Sequence, residues 1–276
     1  MKKLEGKTAI VTGASRGVGQ YVARELAKEG CNIVAAARTM EDNQSRLAGT
    51  IMKTAADVQD LGVRAVPVCC DVTDEESIRQ MVDHALEEFG RIDVLVNNAG
   101  IMAPAALVDM PLKRWDLLWQ VNVRGAIACS KAVLPHMIEN HDGVIINVSS
   151  IAADSEGKGN ISYMLTKHAL RELSKGLAAE EKDHNIRVFA LSPLGWVPTP
   201  GTLFHRDNEI EITPMLEKPE AMGQAAIFLC GDEARELSGR HFYSRDLLRE
   251  RVNNGEDLYQ GDEELLARFG LGQKTT

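Results

Sequence analysis

The chain has 276 residues, of which 44% are apolar, and a net charge of −9. That is enough apolar material for one sizeable α/β core, and the acidic balance argues against a general nucleic-acid binder. No apolar run approaches the roughly 18–20 residues of a membrane-spanning helix, and the charged first six residues lack the apolar stretch and cleavage site of a secretory signal.

Residues 7–12 form an apolar run suited to a buried parallel strand. Gly13-Ala14-Ser15-Arg16-Gly17-Val18-Gly19 follows, then an amphipathic helix to about Lys28, ended by Gly30. Residues 32–37 read as a second strand. A strand, glycine turn, helix and strand within about 30 residues is the context that gives a glycine fingerprint its meaning. Glycines let the backbone approach a pyrophosphate, and the helix start offers it free N–H groups. A glycine-rich turn without a ligand is the alternative. The position where an acid would bind the ribose 2′-hydroxyl of NAD is Ala37, followed by Arg38, and Arg16 lies inside the turn. Two cations and no carboxylate suit a 2′-phosphate. The expected cofactor is therefore NADP(H), with NAD(H) as the alternative.

Residues 41–61 include an expected helix around 51–60, preceded by a loop packed by Leu47 and Ile51. A third strand, 63–69, brings Asp71 to the ligand edge of a parallel sheet. There it can accept from an adenine amino group, or serve as a loop or cap residue. Thr73 and Glu76 have capping-box spacing for a helix ending near Phe89. Residues 92–96 make strand four, closed by Asn97-Asn98-Ala99-Gly100, whose small polar residues let a flat ring lie against the backbone. A long helix is expected from Lys113 to Glu139, with Asn122 in its middle. Asparagine is a poor mid-helix residue, tolerated at a surface or held for a water or backbone contact in a kinked turn.

Strand five, 144–148, delivers Ser149-Ser150 to the same sheet edge. A small polar loop then leads to a helix carrying Tyr163 and Lys167, four apart and so on one face. A nearby cation lowers a phenol's pKa from about 10, which suits proton transfer near neutral pH; in isolation the pair reads as a surface pair. Strand six is 186–191. Residues 192–219 break the pattern with five prolines beside Trp196, Leu203 and Phe204, and are a candidate substrate lid or an ordered structural loop. Residues 220–230 read as a helix and 240–243 as a last strand. Residues 246–276 form a charged tail able to fold over the domain or a partner subunit.

Cys31, Cys69, Cys70, Cys129 and Cys230 are scattered in mostly apolar surroundings and read as reduced core thiols of a cytoplasmic protein. Neither they nor the dispersed histidines have ligand spacing, so no metal is expected. The alternation of strand and helix never breaks into a second core. The expected fold is a doubly wound Rossmann-type α/β domain over 1–245, with about seven parallel strands and helices on both faces.

Read together, these pieces resemble the short-chain dehydrogenases/reductases of the Tyr-x-x-x-Lys type, over roughly residues 5–243. Thr12-Gly13-x-x-x-Gly17-x-Gly19, Asp71-Val72, Asn97-Asn98-Ala99-Gly100, Asn122, Ser150 and Tyr163-x-x-x-Lys167 fall in the family's order. The family's serine lies thirteen residues before its tyrosine, which selects Ser150 over Ser149. The resemblance implies a catalytic set of Asn122, Ser150, Tyr163 and Lys167. Tyr163 would exchange a proton with the substrate oxygen, and Ser150 would hydrogen-bond that oxygen. Lys167 would hold the nicotinamide ribose and lower the tyrosine pKa, and Asn122 would hold a relay water. It also implies cofactor contacts from Gly13, Ser15, Arg16, Gly17, Val18, Gly19, Arg38, Asp71, Val72, Asn98, Ala99, Gly100, Tyr163, Lys167, Pro193, Val197 and Thr199.

The implied activity is NADP(H)-dependent interconversion of a ketone or aldehyde with an alcohol, on an apolar small molecule, in a dimer or tetramer of identical chains. The alternatives are an NAD-preferring alcohol dehydrogenase and a non-catalytic nucleotide-binding regulatory or scaffold protein of the same fold. Three stretches depart from the family pattern. Pro193-Leu194-Gly195-Trp196-Val197-Pro198-Thr199 is one residue longer than the usual Pro-Gly-x-Val-x-Thr, Ser244-Arg245-Asp246 replaces Asp-Gly-Gly, and 42–61 is longer than usual. The segment 47–51 and the longer strand-six loop resemble the hydroxysteroid-dehydrogenase-like branch.

Overall fold

A computed structural model describes residues 2–156, 158–204 and 216–253. Seven strands form one sheet: β1 (Thr8–Thr12), β2 (Asn32–Ala37), β3 (Ala65–Cys69), β4 (Val94–Asn97), β5 (Gly143–Val148), β6 (Ile186–Ser192) and β7 (His241–Tyr243). Their order is β3-β2-β1-β4-β5-β6-β7, and every neighbouring pair is parallel. The chain winds outward from β1 to β3, then returns to β4 on the other side of β1. In such a sheet the crevice for a ligand opens beyond the carboxyl ends of the strands at that reversal.

The intervening helices are α1 (Gly17–Lys28), α2 (Ile51–Gln59), α3 (Glu75–Phe89), α4 (Leu112–Trp119), α5 (Gly125–Asn140), α6 (Ile161–Glu180), α7 (Pro200–Phe204), α8 (Glu220–Cys230) and α9 (Ser244–Arg251). They cover both faces of the sheet, so β1, β4, β5 and β6 are buried along their whole length and need continuous apolar runs. Successive strand residues face opposite sides. Ala9 and Val11 accordingly join Val22, Leu26 and Leu229 in one core, while Ile10 joins Met81, Val133 and Met137 in the other.

Four local expectations change. The long helix 113–139 is broken by a π-helical turn, Gln120–Arg124, that contains Asn122. The cap of α3 is Asp74, whose side chain accepts from Glu76 N at 3.0 Å. Thr73 is not that cap; it donates its hydroxyl to Asp71 Oδ1 at 2.8 Å. Four of the cysteines are buried as expected, but Cys69 is exposed, because β3 is an edge strand with one uncovered side. The first turns of the charged stretch after 245 belong to α9, whose Leu247 and Leu248 enter the first core. The remainder of that stretch, 254–276, and residues 205–215 of the candidate lid lie outside the described residues. No helix among the described residues is long and apolar enough to cross a membrane.

Candidate active site

The glycine turn between β1 and α1 is shaped by contacts from two directions. Gly13 has φ +67°, and a Cβ there would lie 2.8 Å from Asn98 Nδ2 and 2.9 Å from Ala99 Cα. Gly17 has φ +59°, and its Cβ would lie 3.1 Å from Thr199 Cβ. A side chain at either position meets left-handed strain and a neighbour at once. Asn98 closes the turn onto β4, donating from Nδ2 to Thr12 O at 2.8 Å and Gly13 O at 3.2 Å. Thr12 Oγ1 accepts from the amides of Asn98 and Ala99 at 3.0 and 3.1 Å. Arg16, the residue before α1, makes no side-chain cap, so the first amides of this helix receive no side-chain acceptor from it.

The two expected cations stand beside that turn with different commitments. Arg16 donates from Nε to Ala48 O and from Nη2 to Gly49 O, both at 2.9 Å, and from Nη2 to Thr39 Oγ1 at 3.3 Å. It therefore pins the segment before α2 against the turn. Burial and the charge of Arg38 both lower its guanidinium pKa. Arg38 is more open and lies 3.8 Å from Asp71 Oδ2. Burial tends to raise the Asp71 carboxyl, but hydrogen bonds from Thr73 and the charge of Arg38 hold it below its ordinary value.

At the other end of the cleft, β5 leads to Ser149 and Ser150. Ser149 Oγ donates to Lys167 O at 2.7 Å. Ser150 caps a short 3₁₀ turn, Ile151–Asp154, accepting from Ala152 N at 3.1 Å, and its hydroxyl also hydrogen-bonds Tyr163. Lys167 is 4% exposed. Its Nζ donates to Val148 O at 2.8 Å and lies 5.6 Å from the Tyr163 ring centroid. Burial lowers its pKa to about 8. Burial also raises the Tyr163 phenol, with the Ser150 bond opposing it. The expected net lowering of the tyrosine by the lysine is thus corrected: desolvation of the phenol is the larger effect, and both groups are pushed toward their neutral forms.

Asn122 stands behind this pair, 1% exposed. Its Oδ1 accepts from Ile101 N at 2.8 Å, while Nδ2 donates to Ile101 O at 2.9 Å and to Thr166 Oγ1 at 3.1 Å. Thr166 in turn donates to Tyr163 O at 2.7 Å. The π turn therefore aims one amide so that it joins the loop after β4 to the helix carrying Tyr163.

A cleft of about 620 Å³ runs between these ends. Its walls contain Ser150, Tyr163 and Lys167, and Gly13, Ser15, Arg16, Gly17, Val18, Arg38, Asp71, Val72, Asn98, Ala99, Gly100, Pro193, Val197 and Thr199. Two expected site residues lie behind the wall instead: Asn122, as described, and Gly19, which packs against Asn98 and Gly13 O. Ile101, Met102, Ile151 and Trp196 add an apolar lining.

Two further residues support the site without having been marked in the sequence. Arg171 lies one turn beyond Lys167 and donates to Ser150 O at 2.9 Å, held by Asp154 at 2.6 and 2.8 Å. The i+4 spacing from Lys167 was its available signal. Glu217 is 0% exposed and accepts from the amides of Leu194 and Gly195. An acid inside an irregular, proline-rich stretch carries no periodic signal.

A family model described as short chain dehydrogenase matches residues 7–209. The 3-oxoacyl-(acyl-carrier-protein) reductase FabG of Thermotoga maritima is 34% identical over 244 residues, 86% of this chain and 96% of its own. The hydroxysteroid dehydrogenase-like protein 2 of Danio rerio is 32% identical over 259 residues, covering 93% of this chain and 61% of the relative. The crystal structure of a short-chain type dehydrogenase/reductase from Mycobacterium marinum superposes with a TM-score of 0.78 at 29% identity, covering 87% of this chain and 94% of that one. With the doubly wound sheet, the glycine turn and the Ser150–Tyr163–Lys167 cluster, these likenesses assign the chain to the short-chain dehydrogenase/reductase family, NAD(P)-using oxidoreductases that act on CH–OH or C=O groups.

Proposed function

We propose that the protein is an NADP(H)-dependent oxidoreductase that interconverts a ketone or aldehyde with an alcohol, using Tyr163 as general acid and base. The observation that carries the reading is the meeting of Tyr163, Ser150 and Lys167 on one wall of a cleft whose far end is the glycine turn. The residues present fit a dinucleotide. Side chains at Gly13 and Gly17 would collide with Asn98, Ala99 and Thr199 and force the turn apart, the α1 amides suit a pyrophosphate, and Arg38 and Arg16 suit a 2′-phosphate. When bound, that cofactor supplies or accepts the hydride.

The chain's own residues do the rest. Tyr163 Oη gives a proton to the substrate oxygen in reduction and takes it back in oxidation. The Ser150 hydroxyl, held by its cap to Ala152 N and by Arg171 on its carbonyl, orients that oxygen. Lys167 Nζ, anchored on Val148 O, holds the ribose hydroxyls and supplies positive charge beside the phenol in a site where low dielectric strengthens it. Ile101, Met102, Ile151 and Trp196 favour an apolar substrate.

One observation favours a second reading, an NAD-preferring enzyme. The Arg16 guanidinium is already engaged with two backbone carbonyls, which leaves Arg38 as the more open cation. Titration of the purified protein with NADPH and NADH decides between them. Tenfold tighter NADPH binding is the expected result, and tenfold tighter NADH binding overturns it. A panel of ketones and alcohols assayed with the preferred cofactor then tests turnover. Tight cofactor binding without turnover of any of them would point to a non-catalytic role.

A further inference from the structure

Glu217 takes no part in the mechanism above, yet it is a fully buried carboxylate. Burying a charge is unfavourable unless donors meet it, and here they do. Oε2 accepts from Leu194 N at 2.8 Å and from Gly195 N at 3.0 Å. Oε1 is hydrogen-bonded by the Ser244 hydroxyl, which also lies 3.2 Å from Ser192 O. The Glu217 amide donates to Trp196 O at 3.1 Å, and Leu216 bridges to Trp196 in parallel. Burial raises the Glu217 carboxyl above its ordinary value, and the Ser244, Gly195 and Leu194 bonds and the charge of Arg245 oppose that rise.

These bonds join two of the places where the chain departs from its family's pattern. The stretch after β6 is one residue longer, and Leu194 and Gly195 lie in that longer stretch. The stretch after β7 begins with Ser244 where the pattern has Asp-Gly-Gly. Two consecutive amides converging on one oxygen fold the longer stretch into a tight turn. Beyond it, Gly195, Trp196, Val197 and Thr199 line the cleft. β6 and β7 are neighbours in the sheet, so Ser244 is delivered beside Ser192 and can close the other side of the carboxylate.

We propose that Glu217 is a positioning residue: by holding the amides of Leu194 and Gly195 and the hydroxyl of Ser244, it sets the 193–199 wall of the cleft where the nicotinamide end of the cofactor binds. This rests on the cofactor reading above. The 2′-phosphate and adenine end lies at Arg38 and Asp71, beyond the glycine turn that Thr199 touches at Gly17, so that end of the cofactor reports separately.

The test is calorimetric binding of NADPH and of 2′,5′-ADP, which lacks the nicotinamide, to wild type, Glu217→Ala, Glu217→Gln and Ser244→Ala of the full chain. Glu217→Ala is expected to weaken NADPH at least tenfold and leave 2′,5′-ADP within twofold. Glutamine keeps an acceptor oxygen for both amides and can donate to Ser244, so Glu217→Gln is expected to restore NADPH binding to within threefold of wild type. Ser244→Ala removes one of the three donors and should weaken NADPH about threefold with the same selectivity; it carries the test if the alanine variant at 217 does not fold. Equal loss of both ligands overturns the proposal, as does unchanged NADPH affinity, or a glutamine variant as weak as alanine. Wild type that binds neither NADPH nor NADH overturns the cofactor reading instead. If wild type takes NADH, then NADH and ADP replace the two probes, with the same expectations.

Discussion

Lys167 should make the protein less stable at neutral pH, and replacing it should raise the melting temperature while abolishing turnover. The ammonium is 4% exposed, and burial alone brings its pKa from 10.5 to about 8. At roughly 1.4 kcal/mol per pKa unit, keeping that charge inside costs the fold about 3 kcal/mol. Lys167→Met fills similar volume without the charge. It also forfeits the 2.8 Å bond from Nζ to Val148 O, a contribution of about 1–2 kcal/mol. The net is a stabilisation of about 1–2 kcal/mol, or roughly 2–8 °C in Tm for a chain of this size.

The pH dependence separates this account from simple repacking. Below pH 8 the lysine is charged in the folded and the unfolded chain, and the full penalty is present. Between 8 and 10.5 the unfolded chain keeps the proton while the folded chain releases it, so wild-type stability rises with pH. By 10.5 the penalty is gone and only the lost hydrogen bond distinguishes the variant. Scanning calorimetry from pH 6 to 10 should show the variant melting above wild type at pH 7, with the gap closing toward pH 10. A lower Tm at pH 7, or a gap that does not change with pH, refutes the reasoning. The same variant should lose turnover and bind NADPH more weakly; unchanged NADPH affinity would contradict the ribose-holding role.

Tyr163→Phe should lower turnover about 10²–10⁴-fold, the usual contribution of a positioned acid or base, with NADPH affinity within about twofold by titration; undiminished turnover would sink the assignment of Tyr163. Asn122→Leu removes three buried hydrogen bonds and should destabilise by about 2–4 kcal/mol in urea unfolding, with turnover falling too, because Ile101 and the Tyr163 helix lose their link; wild-type values in both measurements would show that the π turn holds itself. His241 is expected to make the fold acid-sensitive. Burial, reinforced by the charge of Arg171, lowers its pKa to about 4, so between 6.5 and 4 the unfolded chain binds a proton that the folded chain does not. Stability therefore falls as pH drops through that window, by about 1–2 kcal/mol after allowance for a partly exposed ring. Urea unfolding at pH 4.5 and 7 should show His241→Gln losing less than wild type, and parallel losses would dismiss His241 as the source.

The strands and the glycine turn were legible because their physics is local. A parallel strand buried on both faces needs a continuous apolar run, and 144–148 or 186–191 can hardly be anything else. Tyr163 and Lys167 were legible because helix spacing alone puts them on one face. Asn122 was legible as an anomaly, but the form of its turn was not: an i→i+5 step has no composition of its own, and the same residues would pass for an unbroken helix. The capping pattern at Thr73 misled because Asp74, one residue later, offers a carboxylate at the true start of α3, while Thr73 finds a better partner in Asp71. The direction of the Tyr163 pKa was misjudged for a related reason. Spacing reports the neighbouring charge, whereas the opposing effect, desolvation, depends on how much of the phenol the folded chain covers.

Glu217 shows where sequence reading stops in principle. Both of the stretches it joins stood out from the family pattern, one at 193–199 and the other at 244–246. Nothing in the chain relates them, since they lie some 50 residues apart with an irregular segment and α8 between. Only the parallel pairing of β6 with β7 sets Ser192 against Tyr243, and only then do an added residue and an unusual serine meet one buried acid. Two irregularities that look independent along the chain meet, in three dimensions, at one buried acid. On that view, restoring either stretch alone to the family pattern should damage NADPH binding more than restoring both. If the double restoration is no better than the worse single one, the two stretches act separately, and Glu217 does not join them.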